Sequence, residues 1–186
     1  MKVIFLDRDG VINKYPGDLQ YVKSWQEFHF LPKIKPALKK LNVKGFKIFV
    51  VSNQAGISKN IYSKESLGLI TKNMLKELKD EGIEISEVYY CIHRKEDNCS
   101  CRKPNTGLIE QALNKLKKEG YKVKLEDSYF IGDTIRDIET GKKAGLNTIL
   151  VFSGKEKSEN KNNWQVFPDF TAQDLYEAVE KIIIQP

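Results

Sequence analysis

Five short runs in this chain are apolar at nearly every position: KVIFLD, FKIFVVS, EVYYCIH, SYFIGD and NTILVF. A strand with one wet face alternates apolar and polar residues, because successive side chains point to opposite sides. These runs do not alternate, so each needs cover on both faces, as in a parallel sheet between two layers of helices. The intervening segments carry the helical period over Lys33–Val43, about Ser63–Glu81, Asn105–Glu119 and Thr134–Ala144. In the third, Leu108, Ile109, Ala112, Leu113 and Leu116 form one apolar stripe, and Gly120 stands ready to end it. Thr171 and Asp174 have capping-box-like spacing before LYEAVEKIII, so a last helix is expected there. The polar stretch Ser153–Asn163 reads as a mobile surface loop.

Strand–helix alternation predicts a three-layer α/β/α sandwich around a mainly parallel, Rossmann-like sheet. With 186 residues and no interval between strands long enough for a separate cap, one domain over 1–186 without a large cap is expected. Neither a charged-then-apolar leader nor a long apolar run is visible, so a cytoplasmic, membrane-free monomer is the expectation. The net charge of +6 suits an anionic partner. The lysines are scattered and never interleaved with aromatics as a block, which argues for a small anionic molecule and against nucleic acid.

Ligands of such sheets gather beyond the carboxyl ends of the strands. Reading only those ends selects Asp7 and Asp9, then Ser52 and Asn53, then Cys91 and His93, then Asp133, with Asp137 a helical turn further and Lys103 in the loop before the third helix. Asp7 and Asp9, two apart on an extended chain, point to the same side. Close carboxylates persist where a metal, a cation or a shared proton offsets their repulsion. Together with Asp133 they make a hard oxygen site of the kind Mg²⁺ takes alongside substrate phosphate. In such a site one carboxylate can attack phosphorus while the other, Asp9, moves protons. Ser52 and Lys103 are donors of the right type for the transferring phosphoryl oxygens.

All three cysteines lie between Cys91 and Cys101, in the pattern Cys-x-His-x5-Cys-x-Cys. Cys91, His93, Cys99 and Cys101 would suit a closed tetrahedral Zn²⁺ site, which braces a loop and leaves catalysis elsewhere. Arg102 and Lys103 follow the last ligand at once. His29, among aromatic neighbours, receives no role.

DRDGV, SNQ, Lys103 and GDTIRD, in that order, resemble the four motifs of the haloacid-dehalogenase superfamily of phosphotransferases. The resemblance runs from Val3 to about Ile184. It implies Asp7 as nucleophile and Asp9 as acid/base. It further implies Mg²⁺ on Asp7, the Asp9 carbonyl and Asp133 with support from Asp137, and substrate phosphate on Ser52, Asn53, Arg102 and Lys103. The CxH…CxCRKP set resembles one compact branch, the phosphatases of D-glycero-D-manno-heptose 1,7-bisphosphate and of histidinol phosphate. The five-residue spacer between His93 and Cys99 is closer to the second, whereas SNQAGIS and YYCIH look closer to the first. Arg94, Lys95 and Arg102 are placed to receive a second phosphate; Glu96 and Asp97 could instead serve the amine of histidinol phosphate. The expectation is therefore removal of the 7-phosphate of the heptose bisphosphate, in envelope-sugar synthesis. Two readings of other classes compete: a phosphorelay receiver, which also gathers acids, a Ser/Thr and a Lys at strand ends, and a zinc-dependent nucleic-acid module.

Overall fold

The computed structural model describes residues 1–184. Its sheet has six parallel strands: β1 (Val3–Leu6), β2 (Lys47–Asn53), β3 (Glu87–Cys91), β4 (Tyr129–Gly132), β5 (Asn147–Val151) and β6 (Phe170–Ala172), in the order β3-β2-β1-β4-β5-β6. The helices are α1 (Ile34–Val43), α2 (Lys64–Asp80), α3 (Gly107–Lys118), α4 (Ile135–Lys143) and α5 (Leu175–Ala178). All four residues of β1 are buried, as the unbroken apolar run requires. Ile4 and Leu6 face α1, α2 and α5, and Val3 and Phe5 face α3. Ile138 of α4 packs with Leu150 and Trp164 on that second face. The three expected layers are present.

β1 pairs with β2 on one side and with β4 on the other, register Ile4–Ile48 and Ile4–Tyr129. The chain order reverses there, and the helices connecting the strands diverge to opposite faces, opening a crevice above the strand ends. Beneath it, the Phe5 ring stacks between Phe49 at 5.4 Å and Phe130 at 6.4 Å between centroids, tying β2, β1 and β4 together under the residues that follow them.

Three local features depart from the sequence reading. β6 is an edge strand of three residues, too short to show a period, and Thr171 lies inside it. Asp174 alone caps α5, accepting from the Glu177 N–H at 2.8 Å; the helix then widens into a π-helical turn over Val179–Ile183. The stretch expected to be a mobile loop is fastened at its start: the Ser153 hydroxyl donates to the Gly10 carbonyl at 2.7 Å, and Lys155 N–H donates to Asp133 at 2.8 Å. Its remainder forms a 3₁₀ helix over Ser158–Asn163. Among the described residues no helix is long and apolar enough to cross a membrane.

Leu41 is fully buried on α1 against the sheet. Leu41→Ala should lower unfolding free energy by about 2–5 kcal/mol, because the cavity it leaves cannot fully collapse. Urea denaturation measures this, and an unchanged midpoint would contradict the packing described.

Candidate active site

At the ends of β1 and β4, Asp7, Asp133 and Asp137 each present a carboxylate oxygen within 4.8 Å of the others. Asp7 is the most accessible; Asp133 and Asp137 are almost wholly buried. One cation sits among them. The Lys103 ammonium, itself buried, lies 2.6 Å from Asp137 Oδ1 and 3.0 Å from Asp7 Oδ2, and donates to the Val51 carbonyl at 3.0 Å. Burial works against the charge on Lys103, but Asp137 and Asp7 outweigh it and raise its pKa. Burial pushes the Asp7 carboxyl up to about 6 against the pull of Lys103, with Asp137 adding to the rise. Asp133 is held well above the usual carboxylate range by burial and by Asp7 and Asp137. Three carboxylates against one ammonium leave negative charge in excess, so the oxygen donors fit a hard divalent cation such as Mg²⁺.

Each acid is fixed by local sequence. Asp137 completes a capping box at the start of α4: its Oδ2 accepts from the Thr134 N–H at 3.1 Å and the Thr134 hydroxyl at 2.6 Å. Its other oxygen is thereby left for Lys103. Asp133 is wedged between two glycines. A Cβ on Gly10, whose φ is +83°, would come within 2.2 Å of Asp133 Oδ2, and one on Gly154 within 2.0 Å.

The Asp9 carboxylate lies outside that cluster and has its own cation. Arg8, fully buried between the two aspartates, donates to Asp9 from Nε at 3.1 Å and from Nη2 at 2.9 and 3.1 Å. Asn13 Nδ2 at 2.9 Å and Gln54 Nε2 at 3.0 Å complete the set. Of Asp9, then, only the backbone is free to join the metal ligands. The sequence places Arg8 between the two aspartates and Gln54 at a strand end, within DRDGV and SNQ, without assigning either a task. An arginine at the end of an apolar run was the available signal, since buried arginines occur paired.

Ser52 is buried beside Asp7, where it works to lower that carboxyl's pKa, and its Oγ accepts from Gln54 Nε2 at 3.2 Å. Asn53 lines the cleft, but its amide is engaged with the loop. Its side chain clamps the backbone of Lys103, accepting from the N–H at 3.1 Å and donating to the carbonyl at 3.2 Å. That clamp meets the cysteine loop. The sulfurs of Cys91, Cys99 and Cys101 are 3.2 to 3.6 Å apart, and His93 Nδ1 lies 3.2 Å from Cys101 and 3.7 Å from Cys91. A disulfide needs about 2.05 Å, whereas the edge of a tetrahedron with metal–sulfur bonds of about 2.3 Å is about 3.8 Å. The four residues form a group able to hold a metal ion. Asn105 Nδ2 donates to the Cys99 carbonyl at 2.8 Å and closes the loop onto the start of α3.

A cleft of about 380 Å³ stands over the acids, lined by Asp7, Asp9, Ser52, Asn53, Lys103, Asp133 and Asp137, with Tyr15–Tyr21 and Lys155 forming a rim. Asp18 and Lys155 pair across it at 2.5 Å. Arg102 does not line this cleft. It lies in an adjoining pocket of about 190 Å³ with Lys95, Asn98, Lys103 and Arg136, and Arg136 lines both. Arg94 is drawn off to the Ser58 carbonyl. Glu96 and Asp97 line neither space, Asp97 being used to accept from the Arg94 N–H at 2.8 Å.

A parallel α/β sandwich with buried acids and one lysine at its switch point is the layout of a phosphatase of haloacid-dehalogenase type. Residues 100–178 match the HAD-hydrolase-like family. The D-glycero-D-manno-heptose-1,7-bisphosphate 7-phosphatase of Chlorobaculum tepidum is 36% identical over 98% of this chain and 94% of its own length. The D-glycero-alpha-D-manno-heptose-1,7-bisphosphate 7-phosphatase of Photorhabdus laumondii is 36% identical over 88% and 89%. Among solved structures, the D,D-heptose 1,7-bisphosphate phosphatase of B. bronchiseptica, complexed with magnesium and phosphate, superposes with a TM-score of 0.85 at 27% identity over 98% of both chains. The chain belongs to the family these phosphatases form.

Gly154→Ala tests the confinement of Asp133. Its methyl group has no room unless that carboxylate moves, and a displacement near 1 Å at a catalytic group can cost about 10²-fold. Phosphatase activity should fall on that scale while the unfolding midpoint barely changes; normal turnover would show that Asp133 is not confined.

Proposed function

We propose that this chain removes the 7-phosphate of D-glycero-D-manno-heptose 1,7-bisphosphate through an aspartyl phosphate at Asp7, within a single domain spanning 1–186. The observation that carries the chemistry is the pair of separately charged aspartates: Asp7 beside Lys103, and Asp9 beside Arg8. Two carboxylates in different surroundings are suited to different tasks.

In this reading Asp7 attacks phosphorus, the P–O bond to the sugar breaks, and Asp9 gives its proton to the departing oxygen. Water then attacks the phosphoaspartate, returning a proton to Asp9 as the bond to Asp7 breaks. Lys103 and the Ser52 hydroxyl hold the phosphoryl oxygens. Asp7, the Asp9 carbonyl and Asp133 would hold Mg²⁺, with Asp137 keeping Lys103 in place. That ion, when bound, supplies positive charge toward the phosphoryl group. The neighbour of known structure is described with magnesium and phosphate, in keeping with this assignment.

For the cysteine loop the reading is one structural Zn²⁺ on Cys91, His93, Cys99 and Cys101, since four protein ligands leave no open position. It holds the loop from which Lys103 enters the acids.

The substrate rests on two supports. Relatives at 30–36% identity carry the heptose-bisphosphatase name, for alpha and beta anomers alike. The pocket beside the cleft is lined by Lys95, Arg102 and Arg136 and by no carboxylate. It suits the second phosphate of a bisphosphate better than an amine, which makes histidinol phosphate the second reading. A receiver role is disfavoured by the proton-transfer apparatus around Asp9, and a nucleic-acid module by lysines that are scattered along the chain and form no basic block interleaved with aromatics.

Measured kcat/KM for the two esters should favour the heptose bisphosphate, since that ratio is what discriminates substrates. A preference for histidinol phosphate would reverse the substrate assignment and leave the chemistry. Asp7→Asn should abolish turnover of both; near-normal rates would remove Asp7 as nucleophile. Protein purified without added zinc should carry about one equivalent, as a closed four-ligand site requires. Cys99→Ala should lose that metal and reduce activity, and full activity without zinc would end the bracing role.

A further inference from the structure

The five hydrogen bonds to Asp9 are unevenly shared. Oδ1 receives Arg8 Nε, Arg8 Nη2 and Asn13 Nδ2, whereas Oδ2 receives Arg8 Nη2 at 3.1 Å and Gln54 Nε2 at 3.0 Å. A proton finds less room on Oδ1, which already faces three donors. Oδ2 is the oxygen able to carry it.

Gln54 then fixes where that proton points, and its own orientation is set. The Tyr62 hydroxyl donates to Gln54 Oε1 at 2.5 Å and Arg8 Nη2 lies 3.3 Å from the same oxygen; Arg8 has donors only, so the amide cannot be flipped. The amide nitrogen must therefore face Asp9 Oδ2, and it also donates to Ser52 Oγ at 3.2 Å. Arg8 Nη2 lies closer to Oδ1, at 2.9 Å, than to Oδ2, at 3.1 Å, so the direction on Oδ2 open to a proton is the one Gln54 does not take, and an O–H there is turned away from Gln54. Both Gln54 and Tyr62 are buried and line no part of the cleft, so neither touches substrate.

We propose that Gln54, locked by Tyr62, is a positioning residue that selects Oδ2 of Asp9 as the proton-carrying oxygen and aims its O–H at the leaving group. This rests on the acid role given to Asp9 above. The proton moves from Asp9 Oδ2 to the ester oxygen as the P–O bond breaks, and the electron pair of that bond stays on the ester oxygen. An alkoxide leaving group needs that proton, whereas a nitrophenolate departs without it.

The test compares kcat/KM, which reports the step releasing the leaving group, for p-nitrophenyl phosphate and for whichever of heptose bisphosphate and histidinol phosphate is turned over faster. Both biological candidates are alkyl esters. Tyr62→Phe keeps the ring and removes only the hydroxyl; Gln54→Leu removes the donor. Proton transfer is worth about 10²–10⁴-fold, so misdirecting it should cost the alkyl ester about tenfold or more and leave the aryl ester within about twofold. Asp9→Asn should show the same selectivity, more strongly. If Asp9→Asn is selective while Tyr62→Phe and Gln54→Leu slow both esters equally, or neither, the positioning role is overturned and the acid role stands. If Asp9→Asn is itself unselective, the acid role falls and takes the proposal with it.

Discussion

The Lys103 ammonium, held between Asp7 and Asp137 in a buried space, is the interaction on which the site depends. Without it, carboxylates gathered at two adjacent strand ends would face one another with no cation supplied by the chain. Removing one partner of a buried ion pair typically costs about 3–5 kcal/mol, because the remaining charge is left uncompensated. Here two acids would lose the same partner. A single ammonium does not neutralise three carboxylates. Burial, with the neighbouring acids adding to it, keeps the Asp7 and Asp133 carboxyls raised, and the deficit makes the site a receptor for added positive charge.

Much of the fold can be read as what it takes to bring Lys103 there. The sheet supplies Asp7 and Asp133 from β1 and β4, paired through Leu6 and Ile131. The first turn of α4 supplies Asp137, one oxygen of which caps the helix while the other meets the ammonium. Lys103 comes from an irregular loop, which by itself fixes nothing. The Asn53 clamp at the end of β2 holds its backbone, and the Cys/His cluster gathers the residues just before it. A loop so tethered behaves as part of the scaffold, as precise positioning of its ammonium between two acids demands.

The fold was legible where its signal repeats. Unbroken apolar runs announced β1 to β5, and the helical period announced α1 to α4. β6, with three residues after Pro168 and Asp169, carries no pattern of its own and exists because β5 offers it an open edge. Asp7, Asp9, Asp133 and Lys103 could be chosen from the sequence because the rule about strand ends leaves few places to look. Contacts between residues far apart in sequence could not. Nothing in SGK marks Ser153, Gly154 and Lys155 as the wall behind Asp133, since the constraint lies in space left by Gly10. Nor does RDG reveal that Arg8 turns inward to Asp9, a choice made by Gln54, Asn13 and Tyr90 around it. Nor does the sequence show that Arg102 lies in the side pocket and that Asn53 holds the Lys103 backbone.

With Asp7 proposed as nucleophile and Asp9 as acid and base, a covalent intermediate is expected at a defined address with a defined means of release. Acid-quenched enzyme, taken during turnover of p-nitrophenyl phosphate and mapped by peptide mass, tests this most directly. A good leaving group lets Asp9→Asn form the phosphoenzyme while lacking the base that should hydrolyse it. Phosphate is therefore expected on the peptide carrying Asp7, accumulating in Asp9→Asn above the level in the unmodified enzyme. A phosphate-free Asp7 peptide in both proteins, while nitrophenol is being released, would contradict it.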